Sequence, residues 1–116
     1  MNKYKFRVEF LEEAKEFLDS LDEKARDKIF YNIWKARSTN DRELFSKLQD
    51  EIWEFRTKYS NIYYRLFAFW DRTGKTDTVV ISTNGIIKKK KKTPKGEIEK
   101  AERLRQQYFN DKNKGR

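Results

Sequence analysis

The chain has no cysteine and no histidine among its 116 residues. The first absence excludes a disulfide framework and a thiolate zinc site, and the second removes the commonest metal ligand. Together they exclude histidine-based triads and cysteine nucleophiles. Proline occurs once and glycine four times, with the glycines standing singly, so neither a phosphate-binding nor a dinucleotide-binding glycine loop is present. Long apolar runs are missing too. No stretch approaches the roughly 20 residues of a membrane span, and Met1–Arg7 lacks the apolar core of a signal peptide. The expectation is a cytoplasmic protein without membrane attachment, with no resident metal and no cofactor.

What the chain does have is charge and aromatic rings. Charged residues make up 41% and apolar residues only 36%, a balance that would suggest disorder were it not for nine Phe, six Tyr and three Trp, each able to bury a large area. The length suits one core and one domain, expected over residues 1–110, with a frayed basic tail at 111–116. The net charge of +9 is unevenly placed: residues 1–85 hold 16 Lys/Arg against 15 Asp/Glu, whereas 86–116 hold 12 against 4. That asymmetry points to an anionic partner, for which nucleic acid is the usual candidate.

The apolar pattern predicts the order of elements. Tyr4, Phe6, Val8 and Phe10 alternate with charged residues, the period of a strand with one buried face. From Leu11 the spacing becomes helical through Leu21, and Asp22 can cap a second helix that carries Ala25, Ile29, Ile33 and Ala36 inward, with Phe30 and Trp34 widening its apolar side. Leu44, Phe45 and Leu48 suggest a short helical or irregular segment. Three strands follow over Ile52–Lys58, Ile62–Asp71 and Thr76–Thr83, and Asn84-Gly85 reads as a turn. Pro94 then opens a last helix, in which Ile98, Ala101, Leu104, Arg105 and Tyr108 share a side. The prediction is an α+β domain, β-α-α-β-β-β-α, with its helices packed on one face of a mainly antiparallel sheet.

With His and Cys gone, chemistry rests on Lys, Arg, Glu, Asp and Tyr. These suffice for RNA cleavage, because the substrate's own 2′-hydroxyl can attack the adjacent phosphate while the protein positions it, moves protons and stabilises charge. If Trp53 and Phe55 face the core, Glu54 and Arg56 stand side by side on the opposite surface. On the next strand Arg65 then shares its face with Tyr63 and Phe67, a guanidinium among rings, which suits phosphate contact and base stacking. The bland alternative is a solvated charge pair with the rings lying under a helix. Lys88, Lys89, Lys90, Lys91 and Lys92 form the densest positive run, which favours phosphate but also occurs in solubilising loops.

Three stretches of the C-terminal half, Ile52-Trp53-Glu54-Phe55-Arg56, Tyr63-Tyr64-Arg65-Leu66-Phe67 and Gly85-Ile86-Ile87-Lys88-Lys89, stand in order before Lys92-Thr93-Pro94. In this order and spacing the chain resembles the phage-associated HigB-like branch of the RelE/ParE superfamily of type II toxins. The resemblance spans about residues 48–108 and implies a RelE-like fold and a metal-independent endoribonuclease that cuts messenger RNA, typically on the ribosome. It also implies a cognate antitoxin, expected to carry a helix-turn-helix domain. Arg56 and Arg65 match the family's strand arginines, and Lys88 and Lys89 its basic pair. Glu54 matches the branch's motif. The expected catalytic set is therefore Glu54, Arg56, Arg65, Lys88 and Lys89, with Tyr63, Phe67, Lys90, Lys91 and Lys92 contacting RNA. Ile87 stands where an aromatic commonly precedes the basic pair, and the histidines of some relatives are absent, which leaves Glu54 or a lysine of the run to take the proton. Two other readings stay open, a ParE-like inhibitor of DNA gyrase and a non-enzymatic RNA-binding module, because one fold hosts several activities.

Overall fold

The computed structural model describes residues 5–74, 78–89 and 91–115. Its elements run β1 (Arg7–Phe10), α1 (Glu12–Asp19), α2 (Glu23–Ser38), β2 (Phe45–Gln49), β3 (Ile52–Tyr59), β4 (Ile62–Asp71), β5 (Val79–Lys88) and α3 (Lys95–Lys114). The five strands form one sheet in the order β1-β5-β4-β3-β2, antiparallel except where β1 runs parallel to β5. The α+β class and the mainly antiparallel sheet agree with the sequence pattern. The segment expected to be helical or irregular is instead the edge strand β2, because Phe45 pairs with Phe55 and buries its ring against it at 4.3 Å between centroids.

Alternation along β3 and β4 decides the layers. Phe55, Tyr64, Leu66 and Ala68 point to one face, where Ala14 and Leu18 of α1 and Ala25, Ile29, Ile33 and Ala36 of α2 cover them. Asp22 caps α2, its side chain accepting from Ala25 N. The intervening residues Phe67 and Phe69 point the other way and are roofed by α3 through Ala101, Tyr108 and Phe109. The helix hairpin thus lies on one face, but the third helix lies on the opposite one, contrary to the expectation of a single covered face. Sequence spacing alone does not say which face a terminal amphipathic helix takes.

Phe30 and Trp34 do not widen the buried side of α2: they are 41% and 49% exposed. Asn84-Gly85 makes no turn. β5 runs on through both residues to Lys88, and a Cβ at Gly85 would fall within 3.0 Å of three ring atoms of Phe17, so glycine is required here by the close approach of α1. Left-handed backbone instead occurs at Ser60 and Asn61, whose φ angles of 51° and 62° close the β3–β4 hairpin.

Of the stretch 111–116 expected as a frayed tail, residues 111–115 are described and Arg116 lies outside the described residues. α3 continues to Lys114, and the Lys112 ammonium lies 2.6 Å from the buried Asp71 carboxylate. Among the described residues no helix is long and apolar enough to cross a membrane.

Candidate RNA-binding site

β3 and β4 bring the strand charges together. Arg56 and Arg65 are direct cross-strand partners, a like-charge juxtaposition that is unfavourable by itself. Glu54, two residues before Arg56 on the same face, offsets it: Oε1 lies 3.4 Å from Arg65 Nε and Oε2 lies 3.4 Å from Arg56 Nε. Glu54 is only 3% exposed and Arg65 8%. Among the described residues, Glu54 Oε1 and both Nε atoms have no hydrogen-bond partner, so the three charges are held by proximity. Arg65 Nη1 donates to the Tyr64 carbonyl at 3.2 Å. Burial draws the Arg65 guanidinium below its ordinary pKa, Glu54 opposes this and Arg56 adds to it; a guanidinium starts so high that it remains cationic.

Arg65 opens into a groove of about 320 Å³ whose other lining residues are Tyr63, Lys88, Lys89 and Lys91. Tyr63 pairs with Lys88 across β4 and β5, which places ring and ammonium side by side. The Tyr63 ring is 43% exposed, with Arg65 Cζ 5.9 Å and Lys58 Nζ 5.4 Å from its centroid. The result is a buried cation beneath an open aromatic face, rimmed by ammonium groups. Such a concavity takes a phosphate and presents a ring for a base to stack on.

The structure therefore gathers Glu54, Arg56, Arg65, Tyr63, Lys88, Lys89 and Lys91. Lys92 is exposed but does not line the groove, and Lys90 lies outside the described residues. Phe67 is a correction. It is fully buried against Ile52 and Ala101 beneath α3 and cannot offer its ring to a base; for this residue the bland reading holds. Lys58 was not singled out from the sequence, although its alternation with Arg56 puts it on the same surface.

The device that aims the lysines was also invisible in one dimension. β4 and β5 slip register between Leu66 and Ala68, so that Thr83 and Asn84 together oppose Phe67 in a bulge. Both are buried. The Thr83 hydroxyl donates to Asn84 Oδ1 at 2.7 Å, and Asn84 Nδ2 donates to Glu97 Oε1 at 3.3 Å in the first turn of α3. The basic loop is thus fastened at its strand end by the Tyr63–Lys88 pairing and at its helix end by Asn84 and Glu97.

Elsewhere, a larger hollow of about 550 Å³ beside Leu11, Leu104, Tyr108 and Lys112 flanks the far end of α3, remote from the arginine pair along the helix. No group of three or more acidic side chains that could hold a metal ion occurs among the described residues.

No curated protein matches the chain significantly. A family model does: residues 16–106, from within α1 to within α3 and including every residue of the groove, match the phage derived protein Gp49-like family (DUF891). The chain belongs to the phage-derived Gp49-like family, a RelE/toxin-like family of toxin–antitoxin systems.

Proposed function

We propose that this chain is the toxin of a type II toxin–antitoxin pair, of the HigB-like branch, and that it is a metal-independent endoribonuclease cutting messenger RNA at the Arg65 groove in the cytoplasm. The observation that carries the reading is the buried Arg65 guanidinium opening into a groove rimmed by Lys88, Lys89 and Lys91 beside the exposed ring of Tyr63. Arg65 and Arg56 hold the scissile phosphate, Tyr63 stacks on an adjacent base, and the lysines stabilise charge as the 2′-oxygen attacks phosphorus and the bond to the 5′-oxygen breaks. An ammonium of Lys88 or Lys89 protonates the departing 5′-oxygen, and the 2′-hydroxyl proton passes to water in the open groove. The products are a 2′,3′-cyclic phosphate and a free 5′-hydroxyl.

Glu54 takes a positioning role. Its carboxylate is enclosed between two guanidiniums, where it fixes their direction and offsets their repulsion. Glu54→Gln separates this from a role as general base: positioning loses RNA affinity and turnover together, whereas a base loses turnover alone. The ribosome presents the message, and an antitoxin with a helix-turn-helix domain holds the toxin in check.

The decisive experiment uses programmed ribosomes and a message with a single 2′-deoxy substitution at the mapped cleavage position. Cutting there should stop while binding persists, because phosphate contacts survive and only the attacking oxygen is removed. Continued cutting at that position, or inhibition of DNA gyrase with the message intact, would overturn the proposal.

A further inference from the structure

The open part of the sheet face is a small grid. Lys58, Tyr63 and Lys88 are cross-strand partners in one row over β3, β4 and β5, and Arg56, Arg65 and Ile86 form the next row inward. The rows lie about 7 Å apart along the strands, and β3 and β5 lie about 10 Å apart across them. Tyr63, Arg65 and Lys88 line the groove, but Lys58 does not: it stands beyond the Tyr63 ring, on the β3 side.

Lys58 is exposed and pairs with no carboxylate among the described residues; its Nζ rests 5.4 Å from the centroid of the Tyr63 ring. Glu54 is already committed to the two arginines, so Lys58 and Lys88 add uncompensated positive charge to this face. An acidic residue opposite Tyr63 would have relieved that excess, and sheet pairing alone does not call for a lysine here. An exposed contact between an ammonium and a ring is weak and is readily given up for a phosphate. A ring with a cation on either side across the strands matches one nucleotide, whose base stacks on the ring while its two flanking phosphates lie to the two sides. One of these is the phosphate held by Arg65 and Arg56 beside Lys88. The other falls on the β3 side, where the long, flexible Lys58 side chain meets it by leaving the ring.

We infer that Lys58 binds a second, non-scissile phosphate, so that the RNA crosses the strands from β5 to β3 and one nucleotide is gripped between two phosphate contacts. The inference rests on reading the Arg65 groove as an RNA site. Lys58 acts on binding and not on the bond that breaks, and because an ammonium meets phosphate as a point charge, the added contact carries no sequence preference.

The test measures binding of the full chain at low salt to two 2′-O-methylated ligands that cannot be cut: a dinucleoside monophosphate, with one phosphate, and a trinucleoside diphosphate, with two. Lys58→Ala should weaken the trinucleotide about fivefold, the scale of one exposed charge contact, and leave the dinucleotide and the melting temperature unchanged. Lys58→Arg should restore the loss. Arg65→Ala should weaken both ligands, and Lys24→Ala, which removes the same charge from α2, should weaken neither. On programmed ribosomes Lys58→Ala should raise KM and leave kcat in place. Equal losses on the two ligands, a matching loss in Lys24→Ala, or no loss at all would overturn the inference. The nuclease reading fails separately: a message left intact on programmed ribosomes sinks it, while Lys58-dependent binding of the trinucleotide still upholds the second phosphate site.

Discussion

Asp71→Asn should cost about 2–3 kcal/mol of stability, because it strikes the polar lock between α3 and the end of β4. The Asp71 carboxylate is 2% exposed and receives four hydrogen bonds: from Tyr108 OH at 2.6 Å, Lys112 Nζ at 2.6 Å, Thr73 N at 2.9 Å and Thr73 Oγ1 at 2.6 Å. Asparagine keeps an acceptor for Thr73 but turns an NH₂ toward Tyr108 and Lys112, so two charge-assisted bonds of about 1.5–3 kcal/mol each are lost or weakened. Lys112 is partly exposed and recovers water, which discounts its share. For a domain of this size the loss is roughly 8–12 °C in Tm. The pH dependence follows from the directions of the shifts. Burial alone would raise the Asp71 pKa, but the bonds from Lys112, Thr73 and Tyr108 outweigh it and hold the carboxyl far below the usual range. Its contribution is complete above the unfolded value, near pH 4, and is lost as pH falls, because the unfolded chain takes up a proton that the folded one resists. Tyr108 shifts the opposite way: burial first, then its bond to Asp71, raise its pKa, so its contribution is complete below about pH 10 and declines above. Chemical denaturation of both proteins across pH 2.5–10.5 should show a difference that is flat between about pH 5 and 9 and shrinks below about pH 4. A difference under about 1 kcal/mol at pH 7, or one that stays constant into strong acid, would refute the lock.

Phe67→Ala should destabilise by about 3–5 kcal/mol as a core truncation, whereas Tyr63→Ala should leave the melting curve in place and weaken single-stranded RNA binding by about 1–3 kcal/mol; the reverse pattern in paired melting and binding titrations would reassign both rings. Gly85→Ala should cost about 1–3 kcal/mol through its clash with Phe17, read by urea denaturation, and a neutral result would mean that α1 does not press on β5 as described. Neutralising Lys88, Lys89 and Lys91 to Gln should lower the slope of log affinity against log salt for single-stranded RNA by about 2. An unchanged slope would place the phosphates elsewhere. Arg65→Ala should abolish growth inhibition by the expressed chain while the protein remains folded, judged by growth and thermal melting together.

How much of this was legible in one dimension depended on the range of the interaction. Alternation and helical spacing are local, so the strands at Ile52 and Ile62, the Asp22 cap and the inward set Ala25, Ile29, Ile33 and Ala36 could be read directly, and with them the shared face of Glu54, Arg56 and Arg65. Helical spacing did not warn that Phe30 and Trp34 remain outside, because an apolar residue at the margin of a stripe is buried only if a neighbour reaches it. Gly85 was misread for a related reason. Glycine serves turns and close approaches alike, and only the position of Phe17 tells them apart.

The residue order by itself determined the class of fold, the absence of histidine and cysteine chemistry, the concentration of positive charge after residue 85 and the arginine-bearing face of β3 and β4, since composition and periodicity act through nearest neighbours along the chain. Tertiary structure decided the rest. It sent α3 to the face opposite the hairpin, buried Phe67 beneath it, left Tyr63 open to solvent, enclosed Glu54 between two guanidiniums and anchored Lys112 on Asp71, 41 residues away. Each of these outcomes rests on contacts between segments distant in sequence, whose pairing is set by the total area buried and the charge left uncompensated when the whole sheet closes.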